Sequence, residues 1–311
     1  MRNSCFLALL SAAAAVPPAR GPFATNATIY SVGTLDSSDP RAWAWFPANA
    51  SAGAKFPLVP YLHGIFSVDL IGYTNLFSQI ASYGFVVVAP FSCNLGCADA
   101  HAARDSRYTE CGGQLPLAPL NMGWDAYYGE AFKLIEWAAN HSQSADPFFS
   151  LIDYAAGAGI AGHSMGGQGA AMAAARGCPA RWNVKTAVLH HPANGDVPAG
   201  NIGSNMTIPV AAFTSSGDGV WWEARDYMAA FNQSRAGLPS AYRYEVGWSH
   251  LEPMLWPPCE NPLLATYTAA WLKVFLSGDR GEYYDLIYGS GPDSLCRHAP
   301  MVECSVVGAP K

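Results

Sequence analysis

The chain predicts an α/β fold with a mostly parallel central sheet and helices on both faces. Short apolar runs alternate with stretches of helical spacing, the rhythm that builds parallel strands joined by right-handed crossovers. Gly162-His163-Ser164-Met165-Gly166 stands between one such run and an alanine-rich helix former, the strand–turn–helix setting in which G-x-S-x-G has chemical meaning. The length of 311 residues, 50% hydrophobic and 13% charged, suits one large domain with a sizeable core and argues against disorder.

Residues 1–20 read as a secretory signal: Arg2, an apolar run over 5–16, then small residues around Ala19. That run is too short to span a membrane, and no later segment is long enough. The mature domain is expected over residues 21–311. Strands are expected over 28–32 and 42–46, separated by the turn-rich stretch 36–40, and over 56–62, ending in His63-Gly64. A helix follows over 70–83, then a β-branched strand over 85–89 stopped by Pro90. Residues 91–122 break the pattern with three cysteines and several glycines and prolines, and read as a long disulfide-pinned loop near a site. The alternation then resumes: helix 124–140, strand 159–162, helix 165–176, strands 186–190 and 210–214, helix 222–235, strand 242–246 and helix 263–277.

The net charge of −6 gives no electrostatic reason to expect nucleic acid or an anionic membrane as partner. Five N-x-[ST] sequons, at Asn26, Asn49, Asn140, Asn205 and Asn232, agree with a secreted, extracellular glycoprotein. Cys93, Cys97, Cys111, Cys178, Cys259, Cys296 and Cys304 lack zinc-ligand spacing with histidines and read as a disulfide set that includes the C-terminal tail. Their odd number leaves one free, for which Cys178 is the candidate. The tail carries little expected structure, so a cross-link is what should hold it.

A serine hydroxyl is a weak nucleophile until a base takes its proton and a third group holds that base. Glycines at 166 and 167 weaken the first turn of a helix by about 1 kcal/mol each relative to alanine, so their presence suggests that the turn around Ser164 has no room for side chains. Asp218 follows the expected strand 210–214, and His250 follows 242–246; open α/β sheets gather their sites at these carboxyl ends. Asp196 is the alternative acid, and Asp218 on its own would read as a turn aspartate before glycine. His63, His163, His190 and His191 are rival bases, but only His250 follows the acid and stands at the last strand's exit. Two backbone N–H groups should face the developing oxyanion, those of Met165 and of Ile65, with Phe66 one step away. Gly64 lets that loop turn in closely, and His63 is expected to anchor it.

The segments LHG (62–64), ASYGFVVVAP (81–90), GHSMGG (162–167), SSGDGV (215–220), SH (249–250) and AAWLKVFLSGDRGEYYDL (269–286) together resemble the α/β-hydrolases that include cutinases, polyester (PET) hydrolases and chlorophyllases. The GHSMGG segment and the ending look most like the cutinase and polyester-hydrolase branch. LHG and GFVVVAP look equally like chlorophyllases and platelet-activating-factor acetylhydrolases. The resemblance implies the α/β-hydrolase fold and a serine esterase without metal or cofactor, its triad being Ser164, Asp218 and His250. Polyester hydrolases usually carry a tyrosine where Ile65 stands and a tryptophan near His191-Pro192. Phe66, Trp221 and Trp222, with Gly64, are the substrate contacts expected instead. The function expected is a secreted, monomeric carboxylic-ester hydrolase acting on neutral apolar esters, polyester or lipid-like. A chlorophyllase-type or acetylhydrolase-type esterase is the alternative enzyme, and a non-catalytic hydrolase-fold interaction protein the alternative from another class.

Overall fold

Six strands run parallel through the middle of a nine-stranded sheet, with antiparallel strands at both edges. The structure is a computed structural model describing residues 20–67, 69–97, 124–175, 178–195, 197–256 and 260–310. β1 (Thr25–Ser31) pairs antiparallel with β2 (Arg41–Pro47), which pairs antiparallel with β4 (Val86–Pro90). β4, β3 (Leu58–Leu62), β5 (Ala158–His163), β6 (Val184–His190), β7 (Val210–Gly217) and β8 (Ser240–Ser249) are the parallel set. β9 (Met301–Val307) closes the far edge against β8. LVPYL and VVVAP, in β3 and β4, are buried at every position, as strands covered on both faces must be. The fold class is therefore the α/β one expected, with a mostly parallel sheet.

Two helical layers cover the sheet. On one face lie α1 (Thr74–Ser82), α6 (Pro262–Leu276) and α7 (Glu282–Tyr288). On the other lie α2 (Tyr128–Asn140), α3 (Met165–Ala175), α4 (Ala199–Asn205) and α5 (Trp221–Ser234). Every residue of α3, MGGQGAAMAAA, is buried. Its small side chains let the helix lie directly on the strands; a Cβ on Gly166 would collide with the Leu62 carbonyl, and one on Gly162 with the Gly166 carbonyl. α6 starts at an N-cap, Asn261, whose side chain accepts from Leu263 N at 3.0 Å, with Pro262 in the first turn.

The tail departs from expectation. It is cross-linked as expected, by a bond between Cys296 and Cys304 whose pairing the sequence left open, but the segment is also held as β9 by an antiparallel ladder to β8 with one register shift. The ladder satisfies backbone groups that a cross-link alone would leave open. Cys93 and Cys97 form a second disulfide at the start of the cysteine-rich loop. The expected signal segment except Arg20, the loop residues 98–123 with Cys111, and Cys259, Asp196 and the Cys178 side chain, on which the free-thiol expectation rests, lie outside the described residues. The expected strand 242–246 extends to ten residues, and the expected helix over 70–83 begins as a 3-10 turn, Ile71–Tyr73. Among the described residues no helix is long and apolar enough to cross a membrane.

Candidate active site

Ser164 stands between β5 and α3 with φ 56°, in the left-handed region that few residues other than glycine occupy. The turn is stitched to β6, since Ser164 N donates to His190 O at 3.1 Å and Ala193 N donates to Ser164 O at 3.0 Å. This holds the side chain above the carboxyl ends of the strands. Ser164 Oγ donates to His250 Nε2 at 2.8 Å, and His250 Nδ1 donates to Asp218 Oδ1 at 2.9 Å. The residues that bring these groups together are those expected: Asp218 directly follows β7, and His250 directly follows β8.

Asp218 is saturated with donors. Oδ1 also accepts from Val220 N at 3.0 Å, while Oδ2 accepts from Thr214 Oγ1 at 3.0 Å and from His191 Nδ1 at 2.9 Å. Burial raises its pKa, but the bonds from His191 and His250 outweigh burial and hold the carboxyl well below the usual carboxylate range.

The loop after β3 comes in close to the nucleophile. A Cβ on Gly64 would stand 3.3 Å from the Ser164 Cβ. Phe66 N donates to Asn94 O at 2.8 Å, so its N–H is spent. The Ile65 N–H, and the Met165 N–H in the first turn of α3, have no partner among the described residues. Ile65 rather than Phe66 is thus the donor the loop offers. His63 anchors this loop: its ring nitrogens lie 2.7 Å from Gly64 O and 2.8 Å from Ser92 O, and its own N–H donates to Tyr127 Oη at 3.0 Å. Burial lowers the pKa of the His63 ring, against the upward pull of the Gly64 and Ser92 carbonyl contacts.

The remaining histidines have other partners. His163 Nε2 donates to His250 O at 2.7 Å, and its Nδ1 accepts from Tyr73 Oη at 2.6 Å; Tyr73 Oη in turn accepts from Gly64 N at 2.8 Å. Burial, then the neighbouring His250 and His191, keep the His163 ring neutral. His190 is buried between Tyr61 Oη and Thr268 Oγ1, and burial lowers its pKa to about 3. His191, considered above only as a rival base, touches the acid instead, and its Nε2 lies 2.7 Å from Glu252 Oε2. Glu252 and Tyr73 were not foreseen. His191 could have been, since it follows β6 by the same strand-exit logic that selects Asp218.

Of the expected substrate contacts, Phe66 is 72% exposed and Trp222 46%. Trp221 is half-buried and stacks on Tyr244 with ring centroids 5.2 Å apart. The ligand atoms of His191, Asp218 and His250 lie within 4.8 Å of one another, but His191 Nδ1 and His250 Nδ1 are each hydrogen-bonded directly to Asp218 at 2.9 Å, so these atoms are engaged with one another. Asp36, Cys93 and Cys97 also cluster, with both sulfurs already joined to each other. A cavity of 260 Å³ lies at the opposite end of the sheet, by Leu58, Ile152, Ala158 and Trp182, away from all of these groups. No family model matches this chain, and no curated protein matches it.

Proposed function

We propose that the protein is a secreted carboxylic-ester hydrolase of the α/β-hydrolase kind, closest in character to cutinases and polyester hydrolases. One observation carries the reading: the unbroken contact from Ser164 Oγ through the His250 ring to Asp218, at 2.8 and 2.9 Å, with the serine in a left-handed turn after a central strand. The chain order Ser…Asp…His agrees with that fold. His250 takes the Ser164 proton as Oγ attacks the ester carbonyl. The N–H groups of Ile65 and Met165 receive the oxyanion, and the alcohol leaves with the proton that His250 returns. Water, deprotonated by the same ring, then releases the acid from Ser164. Asp218 keeps the ring in the tautomer that presents Nε2 to the serine.

Neutral, apolar substrates fit the surroundings. Phe66, Leu95, Trp222, Leu251 and Trp256 are all exposed in the loops or helix start that follow β3, β4, β7 and β8. Each methylene of an acyl chain buried there contributes about 0.8 kcal/mol. Assay on p-nitrophenyl esters of increasing chain length, with polyester film and chlorophyll alongside, tests the reading. Butyrate or hexanoate should exceed acetate in kcat/KM, with little activity on anionic esters. A preference for acetate alone would replace this substrate class with an acetylhydrolase one, and full activity in Ser164→Ala would end the reading altogether.

A further inference from the structure

Asp218 has a second histidine, and the second histidine has a second carboxylate. His191 is fully buried, and both of its ring nitrogens face carboxylate oxygens, Asp218 Oδ2 at 2.9 Å and Glu252 Oε2 at 2.7 Å. An ionised carboxylate can only accept. A neutral imidazole has one donor, so it would leave one of these contacts as lone pair against lone pair in a buried site. Only the imidazolium, with a donor on each nitrogen, satisfies both. Its backbone is held at φ 42°, so the local chain departs from its easiest conformation to bring the ring here.

The far carboxylate is itself tied down. Glu252 accepts from Asn261 Nδ2, and the same amide nitrogen donates to Glu245 Oε2 at 2.6 Å. Glu245 accepts from Arg243, whose guanidinium donates on to Leu295 O and to His298 O, the latter at 2.9 Å. Carboxylate, imidazolium, carboxylate, amide, carboxylate and guanidinium therefore run in one line from the active site to the tail, every member buried.

Resting on the reading of Ser164, His250 and Asp218 as a hydrolytic triad, we propose that His191 is a positioning residue that stays charged throughout turnover at neutral pH. Held as a cation by Glu252, it fixes the Asp218 carboxylate so that Oδ1 faces His250. It touches no substrate and transfers no proton during turnover. The titratable groups around it are Asp218 from the β7 exit, Glu252 from the β8 exit, His250 and His163 with ring centroids at 6.1 and 6.3 Å, and His190 preceding it in the chain. Glu245 and Arg243 stand one step further, across Asn261. Burial alone would lower the pKa of the His191 ring; the hydrogen bonds and charges of the two carboxylates reverse this and raise it to about 9.

The test is the pH profile of kcat and kcat/KM on p-nitrophenyl butyrate for the wild type, Glu252→Gln and His191→Gln. Wild-type kcat should fall on the alkaline side with an apparent pKa near 9 as the imidazolium is lost. Glu252→Gln should move that limb down by about one pH unit or more, since the neutral amide no longer favours the charged ring. His191→Gln should lack the limb and lose roughly ten- to a hundredfold in kcat with KM little changed, the scale on which groups orienting another residue act. An alkaline limb at the same pH in all three proteins would overturn the proposal. A variant that does not fold leaves a second measurement: ¹⁵N-histidine spectra of the wild type at pH 8. A solvent-protected ring with protons on both nitrogens, assigned to His191, is expected, and a spectrum in which the His191 ring carries a single proton overturns the proposal. The spectra need no substrate, and Ser164→Ala tests the triad separately, so either reading fails without the other.

Discussion

Asp218 carries a histidine on each side at the same distance, 2.9 Å, and the two sides differ in almost everything else. On the open side the His250 side chain is 30% exposed and its other nitrogen meets a hydroxyl that can give up its proton. On the closed side the His191 side chain is wholly buried and its other nitrogen meets a second carboxylate. One imidazole can therefore change its charge during a reaction, and the other holds its charge against burial. An imidazole–carboxylate contact, taken alone, does not identify a catalytic base. What lies on the far ring nitrogen decides whether the proton has somewhere to go.

The largest expected effect lies on the open side. Ser164→Ala should lower turnover by about 10⁶-fold, leaving only what binding and the oxyanion donors supply, with the fold intact by circular dichroism. A variant with a tenth of wild-type turnover would remove the serine from the chemistry. Asp218→Asn touches both sides at once and should approach a 10⁴-fold loss in kcat, because the amide favours the wrong tautomer of the His250 ring. Asp196→Asn should change little, and the opposite ranking of these two would move the acid to Asp196.

The closed side should show itself in stability. The folded pKa of His191, about 9, lies above the ordinary 6.5, so its contribution is fully present below pH 6.5 and is lost as pH rises through 9. The full loss is on the order of 3 kcal/mol, at 1.36 kcal/mol per pKa unit. Glu245 is raised to about 7 by burial and then by Glu252, against the pull of Arg243, so its own decline runs through pH 7 and ends about one unit above it. Denaturation midpoints between about pH 8 and 10 should therefore fall in the wild type and stay flat in His191→Gln. Asp218 acts in the opposite direction, since its contribution is present above the ordinary 3.8 and is lost only as pH falls below it. Smallest is the tail. The Cys296–Cys304 link closes a short loop, and Cys296→Ser should destabilise the fold by about 2–3 kcal/mol, measured by chemical denaturation. Kinetics at neutral pH should change far less, because β9 remains paired to β8. A collapse of activity in this variant would mean that the closed side depends on the cross-link itself.

The open side was legible in the sequence because each of its members follows its own strand within a few residues, where G-x-S-x-G, Asp-Gly and Ser-His are local patterns. The closed side was not, although its residues are ordinary. His191 and Glu252 are 61 positions apart, and only the packing of the β6 and β8 exits brings them together. The sheet centre was legible from continuous apolar runs such as VVVAP. β9 was not, because an edge strand half open to solvent needs no such run; Met301–Val307 mixes Glu and Ser with valines and depends on β8 for its pairing. Trp221 shows the same limit in one side chain. Its nearness to Asp218 in sequence suggested the cleft, while its ring stacks on Tyr244.

The bonds that link Gly64, Tyr73, His163 and His250 can be read in one direction only. The Gly64 N–H at one end can only donate and the His250 carbonyl at the other can only accept, so every proton between them has a fixed place. Such a line cannot conduct a proton, but it can act as a strut. It couples the loop bearing the Ile65 N–H to the loop bearing the His250 ring, with the neutral His163 as the spacer between them. The two loops are thereby linked in series. Moving them apart above Ser164 would mean breaking a bond in that line, not swinging a single loop, so their spacing is set from beneath.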